Sequence, residues 1–302
     1  MPIYNITHVT QYIYDAPVID SINQIKIYPF HGGDQNVIHQ DVTITSDPSI
    51  HFFLDYWGNR VGVFSITEPH TTMTIDSKII VQTMEKPMQI MKPLSEIIRL
   101  DYSKPYIIQS NDIIDDILSM SPKNGDKREL TEWCSQYINA NFEYKKGVTT
   151  IETTVDEILE KKQGVCQDFA HLLLHMLRTL GITSRYVSGY ICPNRNGMRG
   201  QGATHAWVEA WLDDYGWYGI DPTNNMWVTD THVKLAVGRN FNDCSPVKGS
   251  FKGIANQSMN VYVSVGFEDG HIIEENNDVE MHQQKVQTPI IVPKQFYMQQ
   301  QQ

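Results

Sequence analysis

The sequence lacks long apolar runs, paired cysteines and an excess of basic residues. No segment reaches the length of a membrane-spanning helix. Its four cysteines, Cys134, Cys166, Cys192 and Cys244, form no C-x-x-C pair, which argues against a zinc ribbon or a redox dithiol. The formal net charge of -11 argues against nucleic-acid binding, which needs a basic face. The N-terminus lacks the basic and apolar regions of a signal peptide, so we expect a cytoplasmic protein with reduced thiols.

What is present fits a globular protein with room for two domains. The chain has 302 residues, of which 41% are hydrophobic and 20% charged. Its first third alternates polar and apolar residues between turns such as Asp15-Ala16-Pro17, which predicts antiparallel strands in a β-sandwich. The predicted strands are 3–14, 21–28, 40–45, 51–56, 60–66 and 71–83. Pro87 and Pro93 then mark a linker.

Helical spacing follows, and the pattern later returns to a period of two. Helices are predicted at 110–120, 127–140 and 154–162, the last with a capping box of Thr154 and Glu157. The clearest helix begins near Cys166 and ends at Gly181, where a left-handed cap is needed. Strands are predicted at 182–191, 203–212, 217–221 and 261–267.

Cys166 stands at the start of this helix, just after Gly164. Helix N-termini offer unpaired N–H groups and a partial positive charge, which stabilise a thiolate and an oxyanion. The other interpretation of Cys166 is a small buried hydrophobic residue, which is the usual role of an unpaired cysteine.

His205 and Asp221 offer partners for such a thiol. They lie in consecutive predicted strands, and the sequence difference of 221 − 205 = 16 is even. An odd-length loop, with Gly216 as a bulge, would put both side chains on one face of the sheet. A carboxylate that orients an imidazole beside a thiol is the arrangement used in cysteine acyl transfer. A histidine among tryptophans can equally be a packed core residue.

Three segments resemble the signature blocks of the transglutaminase-like superfamily. They are Gly164-Val-Cys-Gln-Asp-Phe-Ala170, Thr204-His-Ala-Trp-Val-Glu209 and Gly216-Trp-Tyr-Gly-Ile-Asp-Pro-Thr223. Residues 8–18 and Asp55-Tyr-Trp-Gly-Asn59 resemble the N-terminal β-domain of the bacterial branch, and 238–243 resembles the segment after its core. The resemblance implies a papain-like core with Cys166 as nucleophile, His205 as general base and acid, and Asp221 as orienting carboxylate. Bacterial members are described as cysteine proteases, whereas animal members cross-link glutamine to lysine.

Other residues remain open to two interpretations. Asp168, His171 and His175 share one side of the helix, but structural packing is favoured there over a metal site. Arg195 and Arg199 lie in a Gly- and Asn-rich loop, where they could meet a substrate carboxylate or simply be solvated. Gln163, Gly164 and Trp207 are further candidates for substrate contact.

The sequence therefore predicts an α+β protein. The predicted domains are a β-sandwich at 1–88, a transglutaminase-like catalytic core at 89–250, and a C-terminal strand with a polar tail at 251–302. The predicted activity is amide hydrolysis through a thioester, with acyl transfer to an amine or a non-catalytic peptide-binding scaffold as alternatives. We expect a protein or peptide substrate, no metal or cofactor, and no nucleic-acid or membrane partner.

Overall fold

The structure, a computed structural model, describes residues 1–32, 34–84, 93–192 and 204–267. Within these ranges the chain forms six helices and fourteen strands. The helices are α1 (Glu96–Ser103), α2 (Asn111–Ser119), α3 (Lys127–Asn141), α4 (Val155–Lys161), α5 (Cys166–Thr179) and α6 (Phe241–Cys244). The strands are β1 (Ile3–Ile25), β2 (Gln35–Ile44), β3 (His51–Leu54), β4 (Arg60–Ile66), β5 (His70–Thr83), β6 (Glu143–Tyr144), β7 (Gln163–Gly164), β8 (Ser184–Ile191), β9 (Thr204–Leu212), β10 (Gly216–Asp221), β11 (Met226–Trp227), β12 (His232–Gly238), β13 (Val247–Lys252) and β14 (Gln257–Phe267).

Two antiparallel sheets that share β1 form the N-terminal part. The strand order is β2-β5-β1-β4-β3, and β13 and β14 also pair with β1. The first half of β1 pairs with β5 and β14, and its second half pairs with β4 and β13. Apolar side chains from both sheets, including Tyr12, Ile25, Phe64 and Ile75, form one core. The predicted antiparallel β-sandwich is confirmed.

One predicted turn in this part is wrong. The segment Asp15-Ala16-Pro17 does not end the first strand, because β1 continues through it for 23 residues. The pairing of β1 with β5 skips from Ile13 to Val18, which marks an irregularity at this place. Pro17 has no N–H to contribute to a ladder, and it lies where β1 changes partners, so the strand passes from one sheet to the other without a loop.

The strands from β8 to β12 form a separate five-stranded antiparallel sheet, on which α5 packs. Its strand order is β11-β10-β9-β8-β12, and α5 contacts β8 and β9. The apolar stripe of α5, which includes Phe169, Leu173 and Leu177, is fully buried. Helices α3 and α4 pack against the same helix. The predicted α+β class, with helices packed on an antiparallel sheet, is confirmed.

Local signals in the sequence also place the ends of two helices correctly. At the start of α4, the Glu157 N–H donates to Thr154 Oγ1 (3.3 Å), and the Thr154 N–H donates to Glu157 Oε2 (2.8 Å). This is the predicted capping box. After α5, Gly181 has a φ of 75°, the left-handed conformation that glycine adopts without strain.

The strand β12 was not predicted, and it forms one edge of the core sheet. Two amide side chains from the N-terminal part pair with the outer side of this strand. Gln35 accepts from the Lys234 N–H (2.9 Å) and donates to the Lys234 carbonyl (2.8 Å). Asn59, which is fully buried, accepts from the Val237 N–H (2.8 Å) and donates to the Val237 carbonyl (2.8 Å). Each amide replaces a stretch of neighbouring strand, so the N-terminal part closes this edge.

A tight turn holds Asn59 in this position. The Asp55 carboxylate accepts from the backbone N–H groups of Trp57 and Asn59, each at 2.9 Å, and from Asn59 Nδ2 at 3.0 Å. Gly58 has a φ of 83°, which the turn requires. The segment Asp55-Tyr-Trp-Gly-Asn59, noted above for its family resemblance, therefore builds the contact between the N-terminal part and β12.

A buried ion cluster spans β8, β9 and β12. Glu209 on β9 pairs with Arg185 (2.6 Å) and with Lys234 (2.5 Å), and Lys234 also contacts Asp34 at 3.2 Å. Burial alone would raise the pKa of Glu209, but the two cations outweigh it and lower the pKa to about 2. The cluster joins β8, β9 and β12 to the N-terminal part.

The C-terminal strands return to the N-terminal sheets. Both β13 and β14 pair with β1, and β14 includes the predicted strand at 261–267. The domain boundaries at 88 and 250 remain predictions. None of the described helices combines the length and the apolar character needed to cross a bilayer.

Candidate active site

Cys166 is the first residue of α5, and its side chain is partly buried. The turn before it is closed by Asp168, whose Oδ2 accepts from the Val165 N–H (2.8 Å) and from Thr149 Oγ1 (2.7 Å). Burial raises the pKa of Asp168 despite these bonds. A Cβ atom at Gly164 would lie 2.8 Å from the same Oδ2, so glycine is needed for this cap.

The hairpin of β9 and β10 positions the other two predicted residues. Leu212 pairs with Gly216, and the loop between them has three residues, 213–215. Gly216, the first residue of β10 after this loop, has a φ of 70°, a left-handed conformation that glycine adopts without strain. This odd-length loop puts His205 and Asp221 on one face, as the even spacing predicted.

His205 and Asp221 form a buried pair. The His205 Nε2 lies 2.8 Å from Asp221 Oδ2, and both side chains are fully buried. The carboxylate also accepts from the Thr223 N–H (2.9 Å) and from Asn224 Nδ2 (2.7 Å). Burial would raise the pKa of Asp221, but His205, through its charge and its hydrogen bond, and His232 beside it hold the pKa well below its usual range. Because an ionised carboxylate only accepts, His205 Nε2 must carry a proton.

Cys166 acts on the same ring. Burial disfavours the imidazolium, but the charges of Asp221 and of an ionised Cys166 outweigh it, and the pKa of His205 rises to about 10. Among the described residues, His205 Nδ1 has no hydrogen-bond partner that meets ordinary geometric limits. With Nε2 committed to Asp221, Nδ1 is the nitrogen available to exchange a proton with the thiol.

His232 is a neighbour of this pair that the sequence did not predict. Its Nε2 lies 3.5 Å from Asp221 Oδ2, and its ring centroid lies 6.2 Å from that of His205. The missed signal is the buried segment His232–Gly238, which the sequence analysis did not identify as a strand. Gly189 lies on β8, which separates β9 from β12, and a Cβ there would lie 2.5 Å from the Trp207 ring, so the glycine leaves room for Trp207 beside His232.

In the described part of the chain, one group of side chains has ligand atoms close enough together to hold a metal ion. It consists of His205, Asp221 and His232. Their geometry is that of hydrogen bonding. His205 Nε2 and Asp221 Oδ2 lie 2.8 Å apart, whereas two ligands of a tetrahedral zinc ion would lie about 3.3 Å apart, given bonds of about 2 Å. A metal ion here would also displace the proton that joins the pair. The arrangement therefore fits a proton-transfer site better than a metal centre.

The helix residues Asp168, His171 and His175 do not converge on a common point. Asp168 caps α5, as described above. The His171 Nε2 accepts from the Phe241 N–H at 3.2 Å, and the His175 ring stacks on Tyr106 at 6.2 Å. The three side chains are thus engaged in local hydrogen bonds and packing, and both histidine rings contact Tyr106.

The candidate substrate contacts occupy different environments. Gln163 is partly exposed and donates to Glu143 Oε2 at 2.7 Å. Trp207 is fully buried and packs at 5.2 Å against the ring of His232, so it supports the site from within and offers no surface to a substrate. Arg195 and Arg199 lie outside the described residues.

The remaining cysteines are chemically distinct from Cys166. Cys134, Cys192 and Cys244 are fully buried and unpaired. Burial raises the pKa of Cys134 to about 12 and raises the pKa of Cys192 and Cys244 well above the ordinary value. Of the four cysteines, all of which lie in the described residues, Cys166 combines a position at a helix N-terminus with partial exposure, and its negative charge would raise the pKa of His205.

Comparisons with known proteins show the family to which the chain belongs. A family model described as the transglutaminase-like superfamily matches residues 118–222, and one described as the bacterial transglutaminase-like N-terminal region matches residues 4–82. An uncharacterized protein of Mycobacterium leprae is 30% identical over 279 residues, which cover 86% of this chain and 97% of that protein. The chain belongs to the transglutaminase-like superfamily.

Two further similarities are to a solved structure of low sequence identity and to a short segment of a larger enzyme. A crystal structure described as that of a "Putative Cysteine Protease from Cytophaga hutchinsonii" has a TM-score of 0.71 and 21% identity, covering 92% of this chain and 96% of that one. This likeness concerns the fold. A protein-glutamine gamma-glutamyltransferase of Pseudomonas aeruginosa is 32% identical over 87 residues, which cover 27% of this chain and 13% of that protein.

Proposed function

We propose that this protein is a cysteine-dependent enzyme that cleaves amide bonds of a protein or peptide, with Cys166 as nucleophile. The observation that carries the proposal is the buried His205–Asp221 pair, which is joined at 2.8 Å. The pKa of its imidazole is raised by Asp221 and by the charge of an ionised Cys166. Such a pair is costly to bury unless it has a task or a strong structural reason.

The charges of the site favour a reactive thiolate. Because the pKa of His205 is about 10, its ring is an imidazolium near neutral pH. An imidazolium beside a thiol stabilises the thiolate, and the N-terminus of α5 adds its partial positive charge. The same helix start offers N–H groups for the oxygen of a tetrahedral intermediate.

The acylation step follows from these positions. The Cys166 thiolate attacks the amide carbonyl carbon, and the carbonyl oxygen takes up the negative charge. The C–N bond then breaks, and the leaving amine takes the Nδ1 proton of His205. The product is a thioester on Cys166 and a neutral His205, which Asp221 holds through Nε2.

Water is the acceptor that we propose for the second step. Neutral His205 removes a proton from water, the hydroxide attacks the thioester carbonyl, and the C–S bond breaks to give the carboxylic acid and the thiolate. The description of the Cytophaga protein, whose fold covers nearly the whole chain, supports hydrolysis. The local match to a glutamyltransferase supports the alternative acceptor, an amine.

The acceptor can be tested with a small activated acyl donor, an N-acetyl amino acid p-nitrophenyl ester. We expect a burst of p-nitrophenol, one acyl group on Cys166 by intact mass and peptide mapping, and the free acid as the main product even with millimolar cadaverine. A main product of acyl-cadaverine would show transfer. Cys166→Ala should abolish the burst, and Cys134→Ala, at a buried cysteine outside the site, is the matched control.

A non-catalytic scaffold would give a different result. It would show no burst and no acyl group on Cys166, although peptides could still bind.

Three buried reduced thiols suit the reducing cytoplasm, which we propose as the location. Immunodetection in cytoplasmic and extracytoplasmic fractions tests that location.

A further inference from the structure

His232 lies beside the His205–Asp221 pair, and the steps proposed above give it no role. It is the first residue of β12, and its side chain is fully buried. Its Nε2 lies 3.5 Å from Asp221 Oδ2, the oxygen that also accepts from His205. In the described part of the chain this nitrogen makes no hydrogen bond of good geometry. A buried polar atom so close to a carboxylate needs only a small movement to bind it.

The neighbours of His232 determine where its proton lies. Its Nδ1 lies 3.2 Å from Thr231 Oγ1, a hydroxyl that can donate to it. Asp221 is ionised, so an unprotonated Nε2 would place a lone pair against negative charge. Burial lowers the pKa of His232 and the His205 cation adds to this effect, against the opposing Asp221 carboxylate. His232 is therefore a neutral imidazole with its hydrogen on Nε2, next to Asp221.

The surroundings of His232 contain few other charges. The titratable groups that face it are Asp221 on β10, His205 on β9 and Asp230 in the turn before β12. The Trp207 ring closes another side in an edge-on contact, 5.2 Å between centroids. The strand that carries His232 is held along its outer edge by Gln35 and Asn59, as described above.

We propose that His232 is a positioning residue whose Nε2–H supports the Asp221 carboxylate while His205 gains and loses its proton. When His205 becomes neutral, its own bond to Asp221 weakens because a charge-assisted bond becomes an ordinary one. A second N–H close to the same oxygen then keeps the carboxylate ionised and in place. This inference rests on the proposed function, since it acts through the reactivity of Cys166.

The test measures alkylation of Cys166 by iodoacetamide between pH 5 and 9 in two variants. His232→Phe keeps the ring volume and removes the N–H, so alkylation at pH 6.5 should slow about tenfold, as expected for one lost hydrogen bond to a carboxylate. The acid limb of the profile should move to higher pH, because burial then acts on Asp221 with one donor fewer. His232→Gln, which restores an N–H donor, should recover most of the rate.

The control is His70→Phe, which removes a partly buried histidine that packs against Tyr14 in the N-terminal part and should leave the Cys166 profile unchanged. If His232→Phe does not fold, Thr231→Val removes the hydroxyl that sets the tautomer and should slow alkylation in the same direction. Equal profiles in wild type and in the His232 or Thr231 variants overturn the inference. An unreactive Cys166 in the wild type would instead overturn the proposed function.

Discussion

Asn59 gives the most quantitative prediction about how the two parts of the molecule depend on each other. Its side chain is fully buried and makes one hydrogen bond to the N–H of Val237 and one to the carbonyl, each at 2.8 Å. Val237 is also fully buried, so Asn59→Ala leaves two backbone groups without a partner. At about 1–3 kcal/mol for each orphaned group, the expected loss is about 3 kcal/mol.

Denaturant unfolding followed by far-UV circular dichroism measures this loss. For a chain of 302 residues the same change lowers Tm by roughly 5 °C, given an unfolding entropy of about 2.1 cal/mol/K per residue. Asn59→Asp should be at least as harmful, because the added carboxylate oxygen faces the Val237 carbonyl and the Asp55 carboxylate. Asn5→Ala, at an exposed position of β1, is the matched control and should change stability by less than about 0.5 kcal/mol.

Two results would refute this reasoning. One is a loss below about 1 kcal/mol in Asn59→Ala, which would mean that water or a small shift satisfies Val237. The other is a normal stability of Asn59→Asp, which would mean that the donor half of the amide is not used. Either result would remove the argument that the N-terminal part closes the edge of β12.

Two further predictions concern the core. The depressed pKa of Glu209, about 2 against an ordinary 4.5, contributes stability that is present above pH 4.5 and is lost as pH falls toward 2, by about 2 kcal/mol at pH 3. In urea titrations at pH 6 and pH 3, the stability difference between wild type and Glu209→Gln should shrink by that amount, and a constant difference would contradict the assignment. Gly189→Ala places a Cβ against the Val233 carbonyl and 2.5 Å from the Trp207 ring, so it should lower the free energy of unfolding by about 2 kcal/mol or more. An unchanged free energy of unfolding would show that the Trp207 ring can shift.

Sequence patterns predicted the parts of the site that lie close together in the chain. The even spacing of His205 and Asp221 followed from the period of a strand and the loop before Gly216, and the structure has both on one face. The helix that begins at Cys166 followed from its apolar stripe and from Gly181. These features depend on neighbours within about 20 residues, where local geometry determines which side chains meet.

Contacts between distant segments could not be predicted in the same way. His232 meets Asp221 only because β12 joins the sheet beside β8, an order that no local pattern specifies. The pairing of Asn59 with Val237 joins residues 178 positions apart. The segment around Pro17 has the composition of a turn, yet tertiary pairing on both sides keeps it extended.

The central claim is that Cys166 is the nucleophile of a thiolate–imidazolium pair, and its most direct test is selective alkylation. The protein is treated with a limiting dose of iodoacetamide at pH 6, and the four cysteines are quantified by peptide mapping. We expect Cys166 to be labelled first, with His205→Ala slowing the reaction about tenfold or more because it removes the cation beside the thiolate. Labelling of Cys166 no faster than that of the buried Cys134, Cys192 and Cys244, or a rate unchanged in His205→Ala, would contradict the claim.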